Sequence, residues 1–151
     1  MTKICYVGRQ GLWRNILSIH LDSQDLLNVQ QMEVAVNGPD GATHLILCTG
    51  IVKLSVSSSG MYTFTVGSKI SRRQFVAAIA SGTLSTIQAY GRNNLEIVAD
   101  IDLAANLVLL HASYDDESSK VKVRVEVSSG IPIDKIAINY NVSILAELPR
   151  F

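Results

Sequence analysis

Alternation of apolar and polar side chains with a period of two is the feature that most constrains this fold. In the segment Lys120–Val127 valine occupies every second position, and Lys122, Arg124 and Glu126 lie between the valines. A period of two places the two sets of side chains on opposite faces of a β-strand, whereas a helix needs a period near 3.6. Valine is β-branched and favours a pleated, half-buried surface. The segment is therefore predicted to be a strand with one buried and one solvated face.

The same period recurs elsewhere along the chain. Ile51–Val66 alternates on both sides of a Ser/Gly segment, which predicts a hairpin with its turn at Gly60. Lys135–Leu145 alternates over its whole length. A four-residue apolar run beginning at Leu107 predicts a central strand, because both of its faces are apolar. The run at Leu107 belongs to a strand predicted near 103–113. In all we expect about nine or ten strands, the others near residues 3–7, 12–21, 32–36, 43–48 and 95–101.

One segment, residues 71–81, predicts a helix instead. Ser71 and Gln74 have the spacing of a capping box. Apolar residues at positions 75, 76 and 79 fall on one side of a helix, and Gly82 is placed to end it. Together with the strands, this predicts a mainly β fold: an antiparallel β-sandwich or barrel, jelly-roll-like, with one short helix near 71–81. The chain length of 151 residues fits a single β domain over residues 1–151.

Composition limits the partners of the chain. Charged residues make up 17% of it, against a usual value of about 25%. So little charge predicts that part of the surface is covered by another chain, the alternative being a monomer with a Ser/Thr/Asn-rich surface. The net charge is zero and the basic residues are scattered, which argues against nucleic-acid and membrane partners. Arg9 precedes any apolar signal-peptide core, so we expect a protein made in a host cytoplasm and not secreted.

Metal and carboxylate chemistry finds little support. The three histidines, His20, His44 and His111, fall in different predicted strands and lack the close spacing of metal-ligand pairs. Asp100 and Asp102 share a face if their strand is regular, and residues 115–117 form a second acidic group. Neither has the ligand spacing of a calcium loop, and the second reads as a solvated turn. We predict no metal site.

Nucleophilic and cofactor motifs are also missing from the sequence. Cys5 and Cys48 are the only cysteines, and we interpret them as buried thiols. The sequence contains no nucleophile-elbow, dinucleotide-binding or phosphate-loop pattern. We therefore predict a protein that is not an enzyme, with no catalytic residues and no cofactor.

The polar face of Lys135–Leu145 is the best candidate for an interface, because it is long and carries no charge. The apolar residue that ends the chain is a further candidate for docking. The predicted interface residues are Ala137, Asn139, Asn141, Ser143, Leu148 and Phe151.

The sequence predicts short β segments with Ser/Thr/Asn-rich faces, and it contains no enzyme motif. In these general features the chain resembles small virion proteins of tailed bacteriophages, such as capsid-decoration (cement) or tail accessory proteins. The resemblance implies a structural role in the virion, with partners that are further copies of the chain, a trimer among the expected forms, and other shell proteins. The alternative is a carbohydrate- or ligand-binding β-sandwich, which would need exposed aromatic platforms.

Overall fold

The structure, a computed structural model, describes residues 3–7, 13–38, 41–55, 59–89, 108–128 and 133–147, and these form nine strands and one short 3₁₀ turn at Ser23–Asp25. The strands are β1 (Lys3–Val7), β2 (Trp13–His20), β3 (Leu26–Gly38), β4 (Gly41–Ser55), β5 (Ser59–Val66), β6 (Phe75–Ala89), β7 (Val108–Asp115), β8 (Lys120–Ser128) and β9 (Ile133–Glu147).

Two sheets pack against each other. Sheet 1 has the order β1-β2-β5-β8-β7 and sheet 2 the order β3-β4-β9-β6. All pairs are antiparallel except β2 with β5. The predicted mainly β sandwich is thus confirmed. Three pairs of consecutive strands are neighbours in the described sheets, namely β1–β2, β3–β4 and β7–β8, and β2 pairs with β5 in parallel. We therefore describe the topology by the strand order and do not assign a jelly roll.

The period-two patterns explain which side chains form the core between the sheets. The four valines of β8 from Val121 to Val127 are at most 2% exposed, while the charged residues between them are partly exposed. On β9 the apolar residues from Ile136 to Ile144 are buried in the same alternating way. These strands lie inside their sheets, so each contributes a full row of side chains to the core.

The helix predicted near 71–81 is wrong. Ser71 and Gln74 form half of the predicted capping box: the Ser71 backbone N–H donates to Gln74 Oε1 at 3.3 Å, and the Ser71 hydroxyl donates to the same oxygen at 2.8 Å. The backbone N–H of Gln74 donates to the Ser71 carbonyl at 3.0 Å and not to the Ser71 hydroxyl. They close a single turn, after which the chain continues as β6 and pairs with β9 over its whole length. The hydrogen bonds and inward-facing side chains of this pairing outweigh the local preference for a helix.

The hairpin predicted over Ile51–Val66 is also wrong, although its alternation is confirmed. Val52 and Leu54 on one side, and Phe64 and Val66 on the other, are all buried. The first pair lies on β4 of sheet 2 and the second on β5 of sheet 1, which are not hydrogen-bonded to each other. The chain therefore crosses from one sheet to the other here, and the two apolar sets meet across the core.

Other predicted elements have mixed outcomes. The segment beginning at Leu107 does not form a central strand of the described sheet, because β7 is the last strand of sheet 1 and Leu109 is 62% exposed. The acidic group at 115–117 lies in the β7–β8 turn, as predicted. Asp100 and Asp102, with the strand predicted near 95–101, lie outside the described residues.

At one edge of the sandwich, β7 of sheet 1 contacts β6 of sheet 2. Leu110 on β7 packs over Gly82 on β6, where a Cβ on the glycine would lie 3.1 Å from the leucine methyls. Nearby, the rings of Phe75 and Tyr114 are 5.2 Å apart, and the tyrosine hydroxyl donates to the Ile70 carbonyl at 2.7 Å. At the opposite edge of sheet 2, every residue from Leu27 to Val36 of β3 is exposed.

Candidate functional site

The outward surface of sheet 2 is the candidate functional site. The pairing register places four residues from each of β3, β4, β6 and β9 side by side on this surface. None of them is charged, and we call them the sheet-2 face: Leu27, Gln30, Met32, Val34, Leu45, Leu47, Thr49, Ile51, Ala77, Ile79, Ser81, Thr83, Asn139, Asn141, Ser143 and Leu145.

Two adjacent rows of this face are almost entirely apolar. One row runs from Val34 through Leu45 and Leu145 to Ala77, and the next begins at Met32 and ends at Ile79. Met32 is 58% exposed and Ile79 is 72% exposed. Large apolar side chains that are contiguous and open to water mark a surface that another molecule covers, whereas single exposed ones are ordinary.

On β3 the usual distribution of side chains is reversed. Its outward positions are apolar, whereas Gln31 and Glu33 occupy the side that faces sheet 1. Gln31 Nε2 donates to Glu33 Oε1 at 2.7 Å and to Ser68 Oγ at 2.6 Å, and the Ser68 hydroxyl donates to the same carboxylate at 2.9 Å. These contacts hold the polar side of β3 against the loop after β5. The apolar side is thereby fixed outward.

The remaining two rows of the face are mostly amides and hydroxyls. They include Asn139 and Asn141, both exposed, and the partly exposed Ser143 lies in the adjoining apolar row. Such groups exchange hydrogen bonds with a partner without the cost of burying a charge. Charged side chains occur only beyond the face, with Lys53 and Lys135 at one end and Glu147 at the other.

Sequence reasoning found part of this surface. Asn139, Asn141 and Ser143 lie together on it, whereas Ala137 lies one row beyond it and is 8% exposed. Leu148 and Phe151 are outside the described residues. The apolar contribution of β3 and β6 was missed, because β3 alternates like any half-buried strand and β6 was interpreted as a helix.

Elsewhere in the described residues, the side chains that could bind a metal or act as a nucleophile are dispersed or unreactive. Within the described ranges no three metal-ligating side chains come together. His20 and His111 are exposed on β2 and β7, and His44 is half-buried on β4. Burial, and then the charge of Glu33, raise the pKa of the Cys48 thiol to about 11, so it stays protonated and unreactive at neutral pH.

The described aromatic side chains do not provide a stacking platform for sugars. Tyr62 and Tyr140 are buried in the core, at 4% and 2% exposure. Tyr114 is engaged by Phe75 and by the guanidinium of Arg72, which lies 5.1 Å from its ring centre. No position of the sheet-2 face is aromatic. Trp13 and Tyr90 are not among the side chains that the structure describes.

Compared with known proteins, the chain matches no family model, no curated protein and no solved structure. Among the described residues, no helix has the length and apolar character to cross a membrane.

Proposed function

We propose that this chain is a non-enzymatic structural subunit that assembles with other protein subunits through the sheet-2 face. The observation that carries the proposal is the continuity of that face: its positions lie on all four strands of sheet 2, none is charged, and Met32, Val34 and Ile79 are exposed apolar side chains on it. The low content of charged residues, 17%, supports the same conclusion.

The size of the face suits a protein partner. Strands about 4.8 Å apart and rows about 6.8 Å apart give four strands and four rows a footprint of roughly 19 by 27 Å. That footprint is roughly 510 Å², about two-thirds of the ~800 Å² that each protein contributes to an ordinary specific interface, and side chains at the rim add to it. The two apolar rows form one half of the face and lie beside uncharged polar groups, and few charged residues are likewise found in the buried part of an interface.

Because the chain resembles small virion proteins of tailed bacteriophages, we propose that it is a virion component such as a capsid-decoration (cement) or tail accessory protein. A capsid-decoration or tail accessory protein needs surfaces that bind neighbouring subunits and does not need an active site. The sheet-2 face meets that requirement, because a sheet presents a broad and rigid surface on which several subunits of one shell can be aligned.

Light scattering coupled to size exclusion tests this proposal. The chain has a mass of 16.4 kDa, and we expect an assembled species that is a multiple of it. Ile79→Lys, at the β6 end of one of the two apolar rows, is expected to lower the mass of the assembled species by removing contacts made through this face. Leu109→Lys is the matched control, because Leu109 is also a highly exposed apolar residue but lies on β7 of sheet 1. A monomer at every concentration, or equal effects of the two variants, would contradict the proposal.

A further inference from the structure

We propose that the outer edge of β3 pairs antiparallel with β3 of a second copy of this chain. The two-fold axis of this pairing passes midway between the two copies of Val34. The inference rests on the proposed function of a subunit that assembles, and it adds a contact between two copies at the edge of β3 to the contact through the sheet-2 face. The pairing would join the sheet-2 faces of two subunits into the outward surface of one eight-stranded sheet.

The edge of β3 is open. In the part of the chain that the structure describes, β3 pairs with β4 alone. Strands at a sheet edge are usually protected by lysine, proline, an inward-pointing charge or a bulge. From Gln30 to Gly38 the register is regular and contains neither lysine nor proline, and the one irregularity of β3 lies before it, between Leu27 and Gln30. Glu33 is the one charge on the side that faces sheet 1, and Gln31 and Ser68 hydrogen-bond it there. None of the described residues occupies this edge, so a strand of a second copy can be placed beside it.

The hairpin geometry shows which backbone groups face outward. Gly38 pairs with Gly41 across a two-residue connection, and such a closing pair is hydrogen-bonded. Because hydrogen-bonded and non-hydrogen-bonded pairs alternate, even-numbered residues from Met32 to Val36 bond to β4. The side chain of Thr43 also donates to the Val36 carbonyl at 3.3 Å. Residues 31, 33, 35 and 37 therefore direct their N–H and C=O groups to the open edge.

Charge and side-chain matching select the register. Glu33 is the only charged residue of β3, and pairing centred on it would set two carboxylates opposite each other, which is destabilising. Pairing centred on Met32 would set Val34 opposite Gln30. Pairing centred on Ala35 would shorten the overlap to seven residues.

Centring on Val34 avoids all three defects. It sets Val34 opposite its own copy, Met32 opposite Val36 of the second copy, and Glu33 opposite the uncharged Ala35 of the second copy. The overlap covers residues 30–38, and the four hydrogen-bonded pairs, each of which exchanges two bonds, give about eight ladder hydrogen bonds.

Disulfide trapping tests the register. In this pairing Val34 faces its own copy as a non-hydrogen-bonded pair with Cα atoms about 4.5 Å apart, which is within reach of a disulfide. Val34→Cys is therefore expected to form a covalent dimer in a glutathione redox buffer. Met32→Cys is the matched control, since the two copies of residue 32 would lie four residues, about 14 Å, apart along the strands. The double variant Met32→Cys/Val36→Cys is expected to form cross-links again.

Peptide mapping identifies which cysteines have reacted, and Cys48 is expected to stay reduced because it is 2% exposed. We expect at least a tenfold excess of covalent dimer for Val34→Cys over Met32→Cys. Equal cross-linking of the two, or none for Val34→Cys at concentrations at which light scattering shows an assembled species, would overturn the inference.

The outcomes separate this inference from the proposed function. Assembly that Ile79→Lys abolishes, without cross-linking of Val34→Cys, would overturn the β3 pairing and leave assembly through the sheet-2 face intact. Selective cross-linking of Val34→Cys, with no species larger than a dimer and no effect of Ile79→Lys, would support the pairing and contradict assembly through the sheet-2 face. A monomer without cross-links would overturn both.

Discussion

Replacing Gly50 with alanine tests how the core accommodates the ring of Tyr140. In the sheet-2 ladder Tyr140 lies between Gly50 on β4 and Gly82 on β6, all on the side that faces the core. The ring lies over Gly50, so that a Cβ there would be 2.5 Å from the tyrosine oxygen and 2.7 Å from Cζ. The ring also packs on Phe64, with centroids 5.0 Å apart.

The expected cost of Gly50→Ala follows from these contacts. Atoms of a buried ring at 2.5–2.9 Å cannot stay in place, and overpacking of this kind costs about 1–3 kcal/mol. Loss of glycine's freedom in the unfolded chain offsets about 0.4–1 kcal/mol. We expect a net loss of about 1–2 kcal/mol, which corresponds to a melting temperature lower by roughly 2–8 °C for a chain of this size.

Gly82→Ala is the matched control. A Cβ at this position would meet Leu110 and Ile138 at 3.1 Å, a distance that small movements of methyl groups relieve. We therefore expect a change of less than about 0.5 kcal/mol, because the small overlap and the unfolded-state gain oppose each other. Urea unfolding of both variants, followed by circular dichroism, gives the comparison.

A double-mutant cycle attributes the cost to the ring. Tyr140→Leu removes the atoms that a Cβ at position 50 would overlap, so Gly50→Ala should cost little in that background. The coupling free energy is expected to be about 1–2 kcal/mol. If Gly50→Ala is neutral, or if it costs the same in both backgrounds, the ring does not require glycine at position 50 and the reasoning is wrong.

Two further predictions concern hydroxyl and carboxyl groups. Tyr62→Phe removes a 3.0 Å hydrogen bond to a β4 carbonyl and should cost about 1 kcal/mol, whereas Tyr140→Phe removes a buried hydroxyl that has no partner among the described residues and should cost nothing. Equal effects in urea unfolding would contradict this. Hydrogen bonds from Lys122 and Ser118 lower the pKa of Asp115, so its stabilising contribution is present above the ordinary carboxyl pKa of about 3.9 and is lost as the pH falls through the lower, folded-state value. Asp115→Asn should therefore flatten the dependence of the free energy of unfolding on pH below about pH 5, and an unchanged slope would contradict the assignment.

The strands of this fold could be predicted from the sequence where alternation decides the structure. β8 and β9 follow their valine and isoleucine patterns closely, because a strand inside a sheet buries one complete face. β6 could not be predicted, since Ser71 and Gln74 begin a turn that a helix and a strand can both follow. What decides between them is the pairing of β6 with β9, whose paired residues lie between 44 (Ala89 and Ile133) and 71 (Phe75 and Ala146) positions away.

Pairing partners were also beyond local reasoning. The segments on either side of Gly60 have the spacing of a hairpin, and their apolar residues do meet. They meet across the core and not along a ladder, because alternation records which face is buried and not which strand lies beside it. The candidate site was found only in part for the same reason: Asn139 and Asn141 were recognisable as an uncharged row, but the rows that β3 and β6 add to it depend on the order of the strands.

β3 shows why alternation alone does not identify an interface. Its pattern resembles that of β8, with apolar residues at every second position, yet the valines of β8 are buried and Val34 and Val36 of β3 are 41% and 47% exposed. In β8 the polar side faces outward, whereas in β3 Glu33 is held by Gln31 and Ser68 on the side that faces sheet 1. Both sides of β3 are exposed from Leu27 to Val36, so in a monomer its apolar side stays in contact with water. The arrangement is favourable if the apolar side of β3 is buried in an assembly, and this is the physical basis for our proposal of a structural subunit.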